Sequence, residues 1–354
     1  MTIYGINLIL IGINAFIFRL ITLNHQSDTK RKKIKKVMIG LITFQLILIL
    51  AIRDDLIGVD VKVYLDFFES ARSTTLSVLL ENRFENGYII LNKLISVLFP
   101  DNQIFLTIIA LICLIPVGVF IYRYSRYPTM SFLLYIAFEY YSFVFSGLRQ
   151  SIAYAIILTS YTFIRQRKLV SFLLLIFFAS LFHRSALIFV FAYFIHTIHL
   201  KKITVIALLG LNLLLFILRV PLYTWVSQSF YSSYEVVESA AYNRLIFSTV
   251  ILIGCFTRYR YAIQYSKHTI GLYNYVILGC SMMMFASVGT NVMRIVDYYY
   301  IFIIVLVPEV IYSLKDYKVK VLINYGVMIL MLSIYIVFMQ VDGFEIVPFR
   351  FFWP

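Results

Sequence analysis

Two short clusters interrupt otherwise apolar sequence: Ser146-Gly147-Leu148-Arg149-Gln150 and Phe182-His183-Arg184-Ser185-Ala186. A charge placed near membrane depth costs a few kcal/mol, so Arg149, His183 and Arg184 belong in a protein-lined, watery cavity rather than against lipid. Arg149 and Gln150 open a helix whose positive dipole end would disfavour an arginine by itself. A docked phosphate reverses that balance, because backbone donors and a guanidinium fork can share one anion. The competing reading of Arg149 is an interfacial anchor that reaches for water. His183 has three readings: a neutral base that takes a proton from a sugar hydroxyl, a hydrogen-bonder to substrate, or a packing residue. Asn291, Arg294 and Tyr298 share one helical face by their spacing. Arg294 is then either a second cation of the same site or an anchor neutralised by Asp297, three residues on. Arg53 or Arg83 could supply a third cation.

The elements that must hold these groups are membrane helices. The chain has 354 residues, 62% of them hydrophobic and only 14% charged, a composition unlike that of a soluble globule. Backbone groups in lipid must be satisfied internally, which makes the apolar runs helices. A crossing takes about 20 apolar residues, and the sequence reading expects an all-α polytopic protein of about twelve transmembrane helices. They are placed at about 2–24, 37–52, 103–122, 129–146, 148–164, 169–183, 185–199, 203–219, 244–261, 270–289, 292–313 and 319–339. Residues 1–354 form a single integral membrane domain with outer segments at about 53–103 and 220–243. Within the first, 87–99 is too short to span and reads as an interfacial or re-entrant helix.

The net charge of +14 does not signal nucleic acid, because the basic residues fall in alternate loops. Residues 30–36, 123–126, 165–168, 201–202, 258–260 and 315–320 carry them, and the positive-inside rule makes those loops cytoplasmic. Both termini and the acidic 53–103 segment then lie outside. The first helix lacks the features of a cleaved signal peptide. Cys113, Cys255 and Cys280 sit unpaired in apolar runs and read as small hydrophobes. Phosphate-binding loops, dinucleotide fingerprints, metal-ligand spacings and nucleophile elbows are absent from the sequence.

Arg53-Asp54 with Gly58-Val59-Asp60, Tyr64 and Phe67 comes first in a collinear series. Glu85-x-Gly87-Tyr88, Ser146-x-x-Arg149-Gln150 and Ala179-x-x-x-His183-x-Ser185-Ala186 follow. In these the chain resembles the EpsG family, multi-spanning proteins similar to Wzy-type polysaccharide polymerases. Val59 stands where members commonly have threonine. The resemblance implies a glycosyltransferase of the bacterial cytoplasmic membrane. It would join undecaprenyl-diphosphate-linked oligosaccharide repeat units on the outer face, for exopolysaccharide, capsule or O-antigen. It carries His183, Arg149 and Arg294 over as catalytic positions, and beside them Arg53, Asp60, Glu85, Tyr88, Gln150, Arg184, Asn291 and Tyr298 are read from the sequence as substrate-binding. The sugar arrives activated on its lipid, so no cofactor or metal is called for. Partners are the lipid-linked oligosaccharide, membrane lipid, a chain-length regulator and other assembly proteins. The rival class is a lipid-linked oligosaccharide flippase or transporter, which usually shows an internal repeat and a midplane site. A membrane acyltransferase is a third class, but its acyl donor is ordinarily cytoplasmic.

Overall fold

In a computed structural model, residues 2–23, 27–230, 241–286, 288–289 and 292–353 are described. Helices α1 (Thr2–Leu23) and α2 (Asp28–Ala51) pack side by side. The outer segment then folds into α3 (Val61–Ser73), the single turn α4 (Leu76–Leu79) and α5 (Asn86–Leu98). Long α6 (Asn102–Tyr124) packs on α2, with Gly118 set directly against Thr43, where a Cβ would strike the threonine hydroxyl. Small residues at such crossings let helix backbones approach. Helices α7 (Pro128–Ala137), α8 (Tyr140–Ser146), α9 (Leu148–Arg165) and α10 (Leu169–Ser180) follow, then a 3-10 segment at Arg184–Val190 and short α11 (Phe191–Ile195). Then come α12 (Lys202–Phe230), α13 (Ala241–Phe256), α14 (Tyr259–Tyr265), α15 (Thr269–Ala286), α16 (Val292–Tyr300), α17 (Ile303–Tyr312) and α18 (Tyr317–Val341).

The expectation of twelve crossings does not hold. Among the described residues, six helices are long and apolar enough to cross a membrane: Ile3–Thr22, Asp28–Ala51, Asn102–Tyr124, Thr269–Ala286, Val292–Tyr312 and Tyr317–Val341. A seventh is reached if the pair Tyr242–Phe256 and Tyr259–Tyr265, bent by 70°, is one span. The excess lies in runs such as 129–146 and 169–199, because an apolar run suits a helix buried in protein as well as one in lipid. The 129–146 run is broken at Glu139, whose φ is 63°, and every residue of α7 but Thr129 is buried among its neighbours. The 169–183 run is a 12-residue helix, about 18 Å long at 1.5 Å per residue. The 185–199 run is a 3-10 segment followed by one short turn of helix. The 203–219 run falls within α12, whose apolar stretch among the described residues is Gly210–Trp225. The outer segment's short helix does form: α5 buries Tyr88, Ile89 and Asn92 while Ile90, Leu94 and Val97 stay exposed. That pattern suits an interfacial helix.

The two ends of the bundle differ in chemistry. At one end the chain's beginning and its final segment meet, where the Tyr4 hydroxyl donates to the Ile346 carbonyl at 2.8 Å. Gly58 N–H reaches the Glu345 carbonyl, and the Ser146 hydroxyl reaches that of Phe344. At the other end Lys35 donates to the carbonyls of Tyr122 and Ser125, and Arg126 pairs with Glu309. The first group joins the acidic 53–103 segment to the tail, and the second joins two of the basic loops, 30–36 and 123–126, to Glu309 of α17.

Arg53 belongs to this frame. It is 2% exposed, its Nη1 donates to the Phe145 carbonyl at 2.7 Å, and its guanidinium lies 5.1 Å from the centre of the Phe145 ring. Its backbone pairs with Phe351 of the tail. The side chain therefore ties α2 to α8 and does not line the cavity described below. Arg53→Gln should lower stability by about 2 kcal/mol through the lost charged hydrogen bond. Thermal unfolding of the purified variant checks this; an unchanged melting temperature would contradict it.

Candidate active site

The site is assembled at a junction between α5 and the end of α10. Gly87 and Tyr88 N–H groups both donate to the Leu181 carbonyl, at 2.8 and 3.3 Å. A Cβ on Gly87 would lie 2.7 Å from that oxygen, so glycine permits the approach. The contact sets Glu85, the residue preceding α5, beside the turn that carries His183 and Arg184. One carboxylate oxygen of Glu85 pairs with Arg149 Nη1. The other accepts from the Arg184 backbone N–H at 3.3 Å and lies 3.5 Å from His183 Nδ1, an ion-pair approach without a formed hydrogen bond. Burial opposes ionisation of Glu85, but the His183 ring and the Arg149 charge outweigh it and bring the carboxyl down to about 2. The Arg149 guanidinium is sandwiched further, 4.7 Å from the Phe84 ring centre and 5.8 Å from that of Tyr64.

This cluster borders a cavity of about 270 Å³ lined by Asp60, Tyr64, Arg83, Phe84, Phe143, Arg149, Gln150, His183 and Arg294, among others. Six candidate residues of the sequence reading thus meet in one space: Asp60, Arg83, Arg149, Gln150, His183 and Arg294. Glu85 holds two of them. Gln150 acts through its amide, donating at 2.7 Å to the Arg294 carbonyl and at 2.6 Å to the Tyr154 hydroxyl, which binds α9 to α16. Tyr298 is buried behind the site, accepting from the Ser185 hydroxyl at 3.2 Å and packing on Tyr154.

Other positions fall elsewhere. Tyr88 is wholly buried among Tyr64, Phe67 and Phe84, with its hydroxyl unpartnered. The Arg184 side chain is exposed, so the charge beside His183 is the Glu85 carboxylate rather than the neighbouring guanidinium. Asn291 lies outside the described residues. The expected pairing of Arg294 with Asp297 is not made. Asp297 is buried and pairs with Arg244 of α13, while Arg294 is exposed. Among the described residues, Arg83 and Arg294 form no ion pair. Arg244 escaped the sequence reading, although a charge opening an apolar run was its signal. Phe84 and Phe143, which wall the cavity, gave no signal distinguishing them from other core aromatics.

An all-α bundle with a polar, arginine-bearing cavity at one end defines a multi-pass membrane protein with a built site. The chain belongs to the EpsG family, whose model matches residues 36–351 and so includes every residue named in the cavity. No curated protein and no solved structure matches the chain.

The lowered pKa of Glu85 fixes a pH window. A carboxyl depressed in the folded state contributes stability that is fully present above its unfolded value, about 4.3, and is lost as pH falls through the folded value. Wild type should therefore exceed Glu85→Gln in melting temperature by a constant margin from pH 7 to 5, and the margin should shrink only below that range. A margin already halved at pH 5.5 would contradict the assignment.

Proposed function

We propose that this protein is a polysaccharide polymerase acting on the outer face of the bacterial cytoplasmic membrane, extending a glycan from undecaprenyl-diphosphate-linked repeat units. The observation that carries this reading is the convergence of three arginines and His183, the latter 3.5 Å from a carboxylate oxygen of Glu85, on one cavity. Family membership supports it. The N- and C-terminal segments meet at the same end of the bundle as the cavity, and the basic loops gather at the opposite end. By the positive-inside rule the cavity end, with both termini, faces outward.

In the reaction the acceptor hydroxyl oxygen attacks the anomeric carbon of the lipid-linked sugar. The bond from that carbon to the phosphate oxygen breaks, and the electron pair departs on undecaprenyl diphosphate. His183 takes the hydroxyl proton, with the Glu85 carboxylate on its Nδ1 side orienting the ring and leaving Nε2 for the substrate. Arg294 and Arg83 take up charge developing on the diphosphate. Arg149 gives Nη1 to Glu85, and its buried Nε has no protein partner, so the rest of its fork is available to the same phosphate. Phe84, Phe143 and Tyr64 offer ring faces to the sugars.

Deleting the gene should cause single repeat units to accumulate on the outer leaflet. Accumulation on the inner leaflet would instead indicate a flippase and sink the polymerase reading. His183→Gln should lower polymer formation by about 10²–10⁴-fold at matched protein level, the usual worth of a positioned base. Residual activity within about tenfold of wild type would remove His183 from proton transfer. Arg149→Lys should also be poorly active, because lysine cannot reproduce a fork shared between a carboxylate and a phosphate.

A further inference from the structure

Helix α9 carries Arg149 at one end and Arg165 at the other, about 24 Å apart by helical rise. Around Arg165 lies a second polar cavity, of about 400 Å³, lined also by Lys35, Arg123, Arg126, His268, Thr269 and Glu309. Four cations thus face one carboxylate. That carboxylate is engaged, since Arg126 Nε lies 3.3 Å from Glu309 Oε1. Arg126 also rests 4.7 Å from the Tyr312 ring centre. Lys35 is held by the carbonyls of Tyr122 and Ser125 at 3.1 and 2.9 Å, and Arg165 lies 4.8 Å from the Tyr124 ring centre. Among the described residues, Lys35, Arg123 and Arg165 form no ion pair.

Basic residues at this end satisfy the positive-inside rule, and isolated ones would simply reach for water or lipid. Two features exceed that requirement. These cations come from three separate parts of the chain and wall a common cavity. Thr269 also lines it, 1% exposed and with no partner for its hydroxyl. Thr269 begins α15, an 18-residue helix whose positive dipole end adds to the field.

We propose that this cavity binds an anion carrying two phosphate charges, held by Arg165, Arg123 and Lys35 with the Thr269 hydroxyl and the start of α15. The ligand's phosphates could belong to a soluble diphosphate or to the headgroup of an anionic lipid. Either occupant would neutralise a charge cluster at the end of the helix that also presents Arg149. The inference does not depend on the glycosyl-transfer reading, because binding is measured without turnover.

The test uses the full-length protein in phosphatidylcholine nanodiscs, titrated with inorganic pyrophosphate by calorimetry. In a parallel arm cardiolipin is added, and its retention is counted by native mass spectrometry. Saturable binding in either arm, weakened about tenfold by Arg165→Gln and by Arg123→Gln, is the expected result. The responding arm identifies the source as soluble or lipid. Ligand-free melting temperatures show that the variants are folded, and Arg165→Lys should recover part of the affinity. No binding in either arm, or binding indifferent to both substitutions, would overturn the proposal. So would pyrophosphate affinity that follows Arg294 rather than Arg165, which would put the ligand in the outer cavity.

Discussion

The Glu85 carboxylate draws three chain segments to one point. It pairs with the first turn of α9 through Arg149, faces the His183 ring, and accepts the Arg184 N–H that starts the 3-10 segment. Without that carboxylate, a guanidinium and an imidazole would be left partly buried at the end of α10 with no opposing charge, which is costly in a low-dielectric setting. The two oxygens also set direction. Arg149 is pulled under the Phe84 ring, and His183 is turned so that one nitrogen remains available to the cavity. The link from Gly87 and Tyr88 to the Leu181 carbonyl holds the carboxylate in reach, so the short helix of the outer segment acts as a positioning element.

Around this point the fold separates two tasks. The surfaces of α5 and α10 that point away from the site present Ile90, Leu94, Leu174 and Phe177, an exposed apolar band suited to lipid. Elsewhere in the bundle polar groups are buried in matched pairs, such as Arg244 of α13 with Asp297 of α16 and Arg53 with the Phe145 carbonyl of α8. Those pairs consume charges that would otherwise compete for an anion. What remains facing the cavity is Arg294, Arg83 and the unspent part of Arg149.

Much of this was legible in the sequence, for a physical reason. A charge inside an apolar run is expensive enough to be informative, and Arg149, His183 and Arg294 all meet in the cavity region. The collinear motifs led to the EpsG family, which the match over residues 36–351 shows. Helix count was not legible, because α7, buried in the protein core, is as apolar as α6, which is long enough to cross. Pairing was not legible either. Arg149 meets Glu85 across 64 positions, whereas local spacing suggested Asp297 for Arg294, and the fold gave Asp297 to Arg244. Arg53 shows the complementary error, since a buried arginine that anchors a backbone carbonyl carries the same sequence signal as one that binds substrate.

The most direct measurement of the central claim is product balance in a reconstituted system. The purified protein in liposomes would be supplied with undecaprenyl-diphosphate-linked repeat units and no nucleotide, and both free undecaprenyl diphosphate and new glycosidic bonds counted over time. Glycosyl transfer at this site predicts one diphosphate lipid released for each linkage formed. Movement of intact lipid-linked units across the bilayer, with neither product appearing, would contradict it.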